Sequence, residues 1–201
     1  MKLFRQLIFT FGLFLVALFG FCLPDPLFQD PVSDVIFAAD STLLGARLAS
    51  DGQWRFPEIS RFPEKIEKSI VLFEDKHFFY HPGIDPAALV RAFWSNFQAR
   101  RIVSGGSTLT MQLIRLSRKG KPRIWSEKLI EVILATRLEL SYSKNEILSL
   151  YLSHAPFGGN VVGAEAAAWR YFGHSVNNLS WAESATLAVL PNAPALIHPG
   201  R

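Results

Sequence analysis

The chain has 201 residues, 49% of them hydrophobic, which is material for one well-buried domain plus an appendage. Its single cysteine, Cys22, excludes a disulfide framework. The net charge of +4 conceals an asymmetry: residues 91–128 hold nine Lys/Arg against Glu127 alone, whereas residues 24–90 carry six basic and eleven acidic groups. Such a basic block suits phosphate, anionic lipid or nucleic acid, or is simply a solvated surface.

The appendage comes first. Residues 7–23, LIFTFGLFLVALFGFCL, carry no charge, follow Lys2 and Arg5, and precede the acidic Asp25 and Asp30. Seventeen such residues sit at the lower limit for a membrane-spanning helix. A cleaved signal peptide shares this pattern, but GFCLP offers large residues where cleavage needs small ones. Residues 1–24 are therefore expected to be an uncleaved anchor with its N-terminus in the cytoplasm. Residues 25–56 read as an extended linker, with turn signals at AADS and SDG that predict a hairpin or two. From there the period turns helical, predicting helices over 63–80, 86–100, 108–118, 124–141, 144–154, 161–172 and 181–190. Ser143/Glu146 and Ser180/Glu183 have the spacing of capping boxes. The expectation is a mainly α domain over residues 57–201.

Four stretches carry candidate chemistry. EDKHFFYHPGID, residues 74–85, crowds titratable groups into a chain that is only 19% charged. On a helical wheel Glu74 shares an inward face with Ile70, Val71, His77, Phe78 and His81, while Asp75 and Lys76 swing away. An inward carboxylate is a candidate general base or a satisfied core residue. Glu74-x-x-His77 with His81 also resembles a metal-ligand set, but no second E-x-x-H exists to complete it, so no metal ligand is assigned.

SGGSTLTMQ, residues 104–112, leaves backbone amides accessible before a helix start, which is an anion site in the middle of the basic block. No G-K-[ST] follows, so it is not a Walker A loop. RIWSEKLIEVILATRLEL, residues 123–140, is apolar nearly all round and reads as a buried helix, with Lys128 and Glu131 one turn apart as either a structural or an active-site pair. PAALVRAFWSNFQARRI, residues 86–102, mixes aromatics with arginines and would lie in a membrane interface or pack in the core.

Together these stretches resemble the family 51 peptidoglycan glycosyltransferase domain of class A penicillin-binding proteins. The carrying motifs are Glu74-Asp75-x-x-Phe78-x-x-His81-x-Gly83, the GGSTLTMQ run from Gly105 to Gln112, Lys128-x-x-Glu131, and KNEILSLYL at 144–152. The HAPFGGN turn, residues 154–160, looks most like the 1C branch. The resemblance implies a lysozyme-like helical fold with a small membrane-proximal jaw. It also implies a membrane-anchored enzyme that polymerises lipid II into glycan strands by inverting transfer, releasing undecaprenyl diphosphate.

By motif position Glu74 would be the general base and Glu131 the second catalytic acid residue. Asp75, His81, Ser107, Thr108, Gln112, Arg115, Arg123 and Lys128 would bind substrate. The implied partners are lipid II, the growing glycan on its lipid diphosphate, the membrane, and a transpeptidase or other cell-wall synthesis proteins, with no nucleic acid. The implied location is the bacterial inner membrane, single-pass, with the domain on the periplasmic side. No cofactor is required, with Mg²⁺ or Mn²⁺ at the diphosphate as the open alternative.

Departures from the pattern are Arg115 for a lysine, Glu127 for an arginine, Met111 for a glutamine and Ser153 for an asparagine. Whether a transpeptidase domain follows Arg201 stays open. The competing functions are a lysozyme-like lytic hydrolase and a catalytically weak scaffold.

Overall fold

A computed structural model of the chain describes residues 2–101, 105–119, 121 and 124–192. The first helix, α1 (Lys2–Phe21), includes an 18-residue run, Phe4–Phe21, long and apolar enough by length and composition to cross a membrane. Phe4, Phe9, Phe11 and Phe21 are all exposed on it. Beyond it β1 (Asp34–Phe37) and β2 (Leu43–Arg47) form an antiparallel hairpin, pairing Asp34 with Arg47 and Val35 with Ala46. The predicted AADS turn closes it: the Ala38 amide donates to Thr42 O at 2.8 Å, and Ser41 takes a positive φ of 66°. The SDG turn also forms, but its second arm, β3 (Trp54–Arg55), pairs in parallel with β4 (Val161–Val162) far along the chain. Leu27 and Phe56, from the expected linker, are buried in the main core.

Six helices build that core: α2 (Glu64–Glu74), α4 (Leu109–Ser117), α5 (Trp125–Glu139), α6 (Lys144–His154), α7 (Ala164–Phe172) and α8 (Trp181–Val189). α2 packs on α8, and α4 packs on both α5 and α6. α4 is the central rod. Leu109, Thr110, Met111, Leu113 and Ile114 are all fully buried, as expected of a helix apolar on most sides. Both predicted capping boxes are present: Ser143 with Glu146 starts α6, and Ser180 with Glu183 starts α8. Each joins two otherwise orphaned amides to side-chain acceptors.

Two expectations change. The first predicted helix, over 63–80, ends at Glu74. Asp75 leaves helical geometry at φ −157°, ψ 79°, because its carboxylate turns into the core instead of swinging away. Residues 76–80 continue as tight turns, so Phe78 is buried by a turn and His77 stays largely exposed, with 56% of its side chain accessible. The second concerns α5, which is not buried all round. Leu134, Ala135 and Leu138 face the core, while Leu129 and Ile133 are exposed on the other side, and α1 packs on this helix. Periodicity registers apolar character but does not distinguish a protein core from an exposed apolar surface.

α3 (Pro86–Ala99) stands apart from the core, and among its described side chains only Ala92 is buried. Its Val90, Trp94 and Phe97 project outward. It starts at Asp85, whose carboxylate accepts from the Ala88 amide at 2.9 Å, and Pro86 occupies its first turn.

Gly83 joins the turn after α2 to this arrangement. It has φ 88°, and an added Cβ would stand 2.9 Å from the Ala135 carbonyl oxygen on α5. Replacing it with alanine should therefore destabilise the fold by about 1–3 kcal/mol, read as a lowered midpoint in chemical unfolding. An unchanged midpoint would contradict this close approach.

Candidate active site

The site is assembled where α2 ends and α4 begins. The Asp75 carboxylate accepts from the Leu109 backbone amide at 3.0 Å and is held by His81 Nε2 at 2.9 Å; both side chains are about 5% exposed. A carboxylate at a helix N-terminus satisfies an orphan amide and favours the helix dipole. Thr108 caps the same helix: its hydroxyl accepts from the Met111 amide and donates to Gly83 O at 2.6 Å. Asp75, His81 and Thr108 thus hold the frame of the site together.

Glu74, one residue before Asp75, lines a cavity of about 390 Å³. The walls also include Lys76, His77, Asp85, Arg91 and the loop from Gly105 to Thr108. His77 Nδ1 lies 3.1 Å from Asp85 Oδ2, which ties the turn to the start of α3. Glu74 Oε2 accepts from Gln112 Nε2 at 2.9 Å, while its Oε1 is buried with no hydrogen-bond partner among the described residues. Burial pushes the Glu74 carboxyl above the ordinary carboxylate range; the Gln112 hydrogen bond opposes this and the charge of Asp75 adds to it.

Glu131, on α5, is in the opposite electrostatic state. Arg115 grips it bidentately, Nε to Oε1 at 2.8 Å and a terminal nitrogen to Oε2 at 3.0 Å. Lys128 Nζ adds a contact to Oε2 at 3.3 Å and donates to Ser107 Oγ at 2.6 Å. Burial alone would raise the Glu131 carboxyl, but the hydrogen bonds and charge of Arg115, joined by Lys128, hold it below its ordinary value. Ser107 connects the halves, lining the Glu74 cavity while bonded to Lys128.

Of the residues singled out from sequence, Glu74, Asp75, His81, Thr108 and Gln112 converge on one side. Glu131, Arg115, Lys128 and Ser107 form a second cluster joined to it through the loop. Arg123 lies outside the described residues. Among the described residues no group of three His, Cys, Asp or Glu side chains could hold a metal ion. Both oxygens of Glu131 already accept from cations, so this donor set does not fit a protein-held divalent ion.

Two features went unread in the sequence. Tyr151 on α6 donates to Gln112 Oε1 at 3.2 Å; its signal was a phenol in an apolar helix, whose hydroxyl needs a partner once buried. Lys144 donates to His81 O and to Glu139, each at 2.7 Å, and lies over the Phe78 ring at 4.5 Å. It braces the turn from beneath.

A helical domain thus presents one carboxylate raised by burial beside a cavity, and another gripped by cations behind the same loop. The chain belongs to the transglycosylase family, whose family model matches residues 41–201. It is 42% identical to penicillin-binding protein 1C of Escherichia coli (strain K12) over 179 residues, covering 89% of this chain and 23% of that protein. It is 40% identical to penicillin-binding protein 1A of Aquifex aeolicus (strain VF5), covering 88% of this chain and 25% of that one. Penicillin-binding protein 1F of Bacillus subtilis (strain 168) is 36% identical over 71% of this chain and 21% of its own length. The chain thus spans about a quarter or less of these relatives.

The Arg115–Glu131 pair makes a pH-dependent prediction. A carboxyl held below its ordinary value of 4.5 contributes stability that is complete above that pH and is lost as pH falls through the lowered value. Arg115→Met should therefore cost about 2 kcal/mol at neutral pH, and progressively less below about pH 4. Urea unfolding of both proteins across pH 3–7 measures the difference; a gap that persists undiminished into acid would contradict the pairing.

Proposed function

We propose that this domain is a peptidoglycan glycosyltransferase that polymerises lipid II. The observation that carries the reading is the contrast between the two glutamates. Glu74, raised by burial and open to a cavity, suits a general base. It takes the proton from the acceptor sugar's hydroxyl as that oxygen attacks the donor's anomeric carbon. The new O–C bond forms as the C–O bond to the lipid diphosphate breaks, so the configuration inverts and undecaprenyl diphosphate leaves with its electron pair.

Charge develops on the leaving diphosphate, and Arg115 and Lys128 answer it electrostatically. Glu131 keeps those two cations aligned in advance, so little reorganisation is needed at the moment of transfer. Ser107, Thr108 and Gln112 line the donor side, and Arg123 adds a further cation to the diphosphate by its position in the motif. In this reading the cations supply the counter-charge and no divalent metal is required.

The membrane is the second part of the proposal. α1 anchors the domain, and the exposed Val90, Trp94 and Phe97 of α3, with Leu129 and Ile133 of α5, are the surfaces that meet lipid. A polyprenyl substrate then reaches the cavity without leaving the bilayer. Lys2 and Arg5 favour a cytoplasmic N-terminus and an outward-facing domain in a bacterial inner membrane. The product strand would pass to a transpeptidase or other cell-wall synthesis proteins; nucleic acid is not a partner in this reading.

Incubation with lipid II should give lengthening glycan, and shortening of preformed glycan instead would refute the transferase in favour of a hydrolase. Glu74→Gln should lower turnover by at least about a hundredfold while leaving the thermal unfolding midpoint close to wild type. Wild-type-like turnover by that variant would remove Glu74 from the role of base. Excess EDTA should leave most of the polymerisation rate intact, and a loss restored by Mg²⁺ or Mn²⁺ would show that a divalent ion takes part.

A further inference from the structure

Among the described residues the hydrogen bond from Gln112 is the one that supports the Glu74 carboxylate, since Oε1 is buried without a partner there. A glutamine amide has two ends of almost equal shape and opposite polarity. Turned over, Gln112 would present its carbonyl oxygen to the carboxylate, and the contact would become repulsive. Nothing in Gln112 itself chooses between the two orientations. The acceptor-only carboxylate selects the amide end, and α6 holds that choice: the Tyr151 hydroxyl, 1% exposed as a residue, donates to Gln112 Oε1 at 3.2 Å.

We propose that Tyr151 is a positioning residue for the reaction: it fixes the orientation of the Gln112 amide so that a donor, not an acceptor, faces Glu74. This rests on Glu74 being the base. A phenol suits the task because it stays a donor. Burial, and then the nearby charge of Glu74, push its ionisation far above physiological pH. The relay crosses three helices, from Tyr151 on α6 through Gln112 on α4 to Glu74 at the end of α2. Its consequence is electrostatic. Burial raises the Glu74 carboxyl and the Gln112 donor is what lowers it, so loss of orientation leaves more of the base protonated.

The other charged groups around Glu74 are Asp75 at its own helix end and Lys76, His77, Asp85 and Arg91 along the cavity. α8, which packs on α2, carries Glu183 as its only charged residue, and that side chain is committed to the Ser180 amide and His174. Among the described residues none of these hydrogen-bonds to the Gln112 side chain, so removing the Tyr151 hydroxyl isolates the relay.

The test is a carboxyl ¹³C NMR titration of the full chain in detergent micelles, with the Glu74 resonance assigned by its loss in Glu74→Gln. Wild type, Tyr151→Phe, Gln112→Ala and the double variant are compared. Tyr151→Phe should move the Glu74 midpoint upward by roughly half a pH unit. The acidic limb of lipid II polymerisation should move by the same amount, with KM unchanged. Because Tyr151 acts through Gln112, the double variant should shift no further than Gln112→Ala alone.

An unmoved midpoint in folded Tyr151→Phe, or shifts that add in the double variant, would overturn the proposal. If Tyr151→Phe fails to fold, Gln112→Ala still decides, since an unmoved midpoint there removes the relay's last link. Should the midpoints shift as expected while wild type makes no glycan, the relay stands and the polymerase reading falls.

Discussion

The Asp75 carboxylate holds the site together. It accepts the Leu109 amide at the start of α4 and the His81 ring from the following turn, in a setting where each of these polar groups is buried. An unmade hydrogen bond there would cost more than a made one gains, so the three segments have one favourable arrangement. That arrangement ends α2 at Glu74, aims Glu74 across at Gln112, and sets the first turn of α4 beneath the Ser107 loop. α4 then presents Gln112 to Glu74 and Arg115 to Glu131, three residues apart on one helix. Asp75, which touches no reacting group in the proposed reaction, sets the helix that serves both glutamates.

The same helix keeps the two glutamates in opposite states. Gln112 offers Glu74 a neutral donor, which eases the burial of a carboxylate without fixing it as an ion. Arg115 offers Glu131 a planar, permanently charged fork, which does fix it. A base must be able to gain a proton, whereas a group that aligns cations must not, and the environments differ in that sense.

Much of this was legible in the residues. The helices were, because capping boxes at Ser143 and Ser180 and runs of 3.6-residue period are local signals. Glu74 was found inward because its wheel neighbours Ile70 and Val71 are apolar. The same wheel misplaced Asp75, since it assumed a helix continuing to residue 80. What ends that helix is a contact with Leu109, thirty-four positions away, which no local pattern encodes. The wheel also treated His77 and His81 as equivalent, whereas the turn buries one against Asp75 and leaves the other at the cavity mouth. The apolar faces of α3 and α5 were visible as composition. Their direction was not, because an exposed leucine and a core leucine read alike. Tyr151 lies in the KNEILSLYL run, but the bond it makes is to Gln112 on another helix.

The basic block gains meaning once its charges are followed to their partners. Nine cations against one acid suggested a broad positive surface, yet several are already engaged. Arg115 and Lys128 share Glu131, Arg118 donates to Glu127 at 2.8 Å, and Lys119 Nζ lies 3.6 Å from Asp30. Glu127, which stands where the family pattern has arginine, therefore both omits one cation and occupies another. Its partner is Arg118, one turn beyond the Arg115 that grips Glu131, so the substitution falls beside the central triad and leaves it intact. Arg115, Lys128, Glu131 and Ser107 form one connected set of contacts, whereas Arg118 and Lys119 pair separately with Glu127 and Asp30. In the proposed reaction a diphosphate would meet the Arg115–Lys128 pair with its charges already aligned by a shared carboxylate and partly shielded from water. Position, more than the total count of positive residues, sets where such a ligand settles.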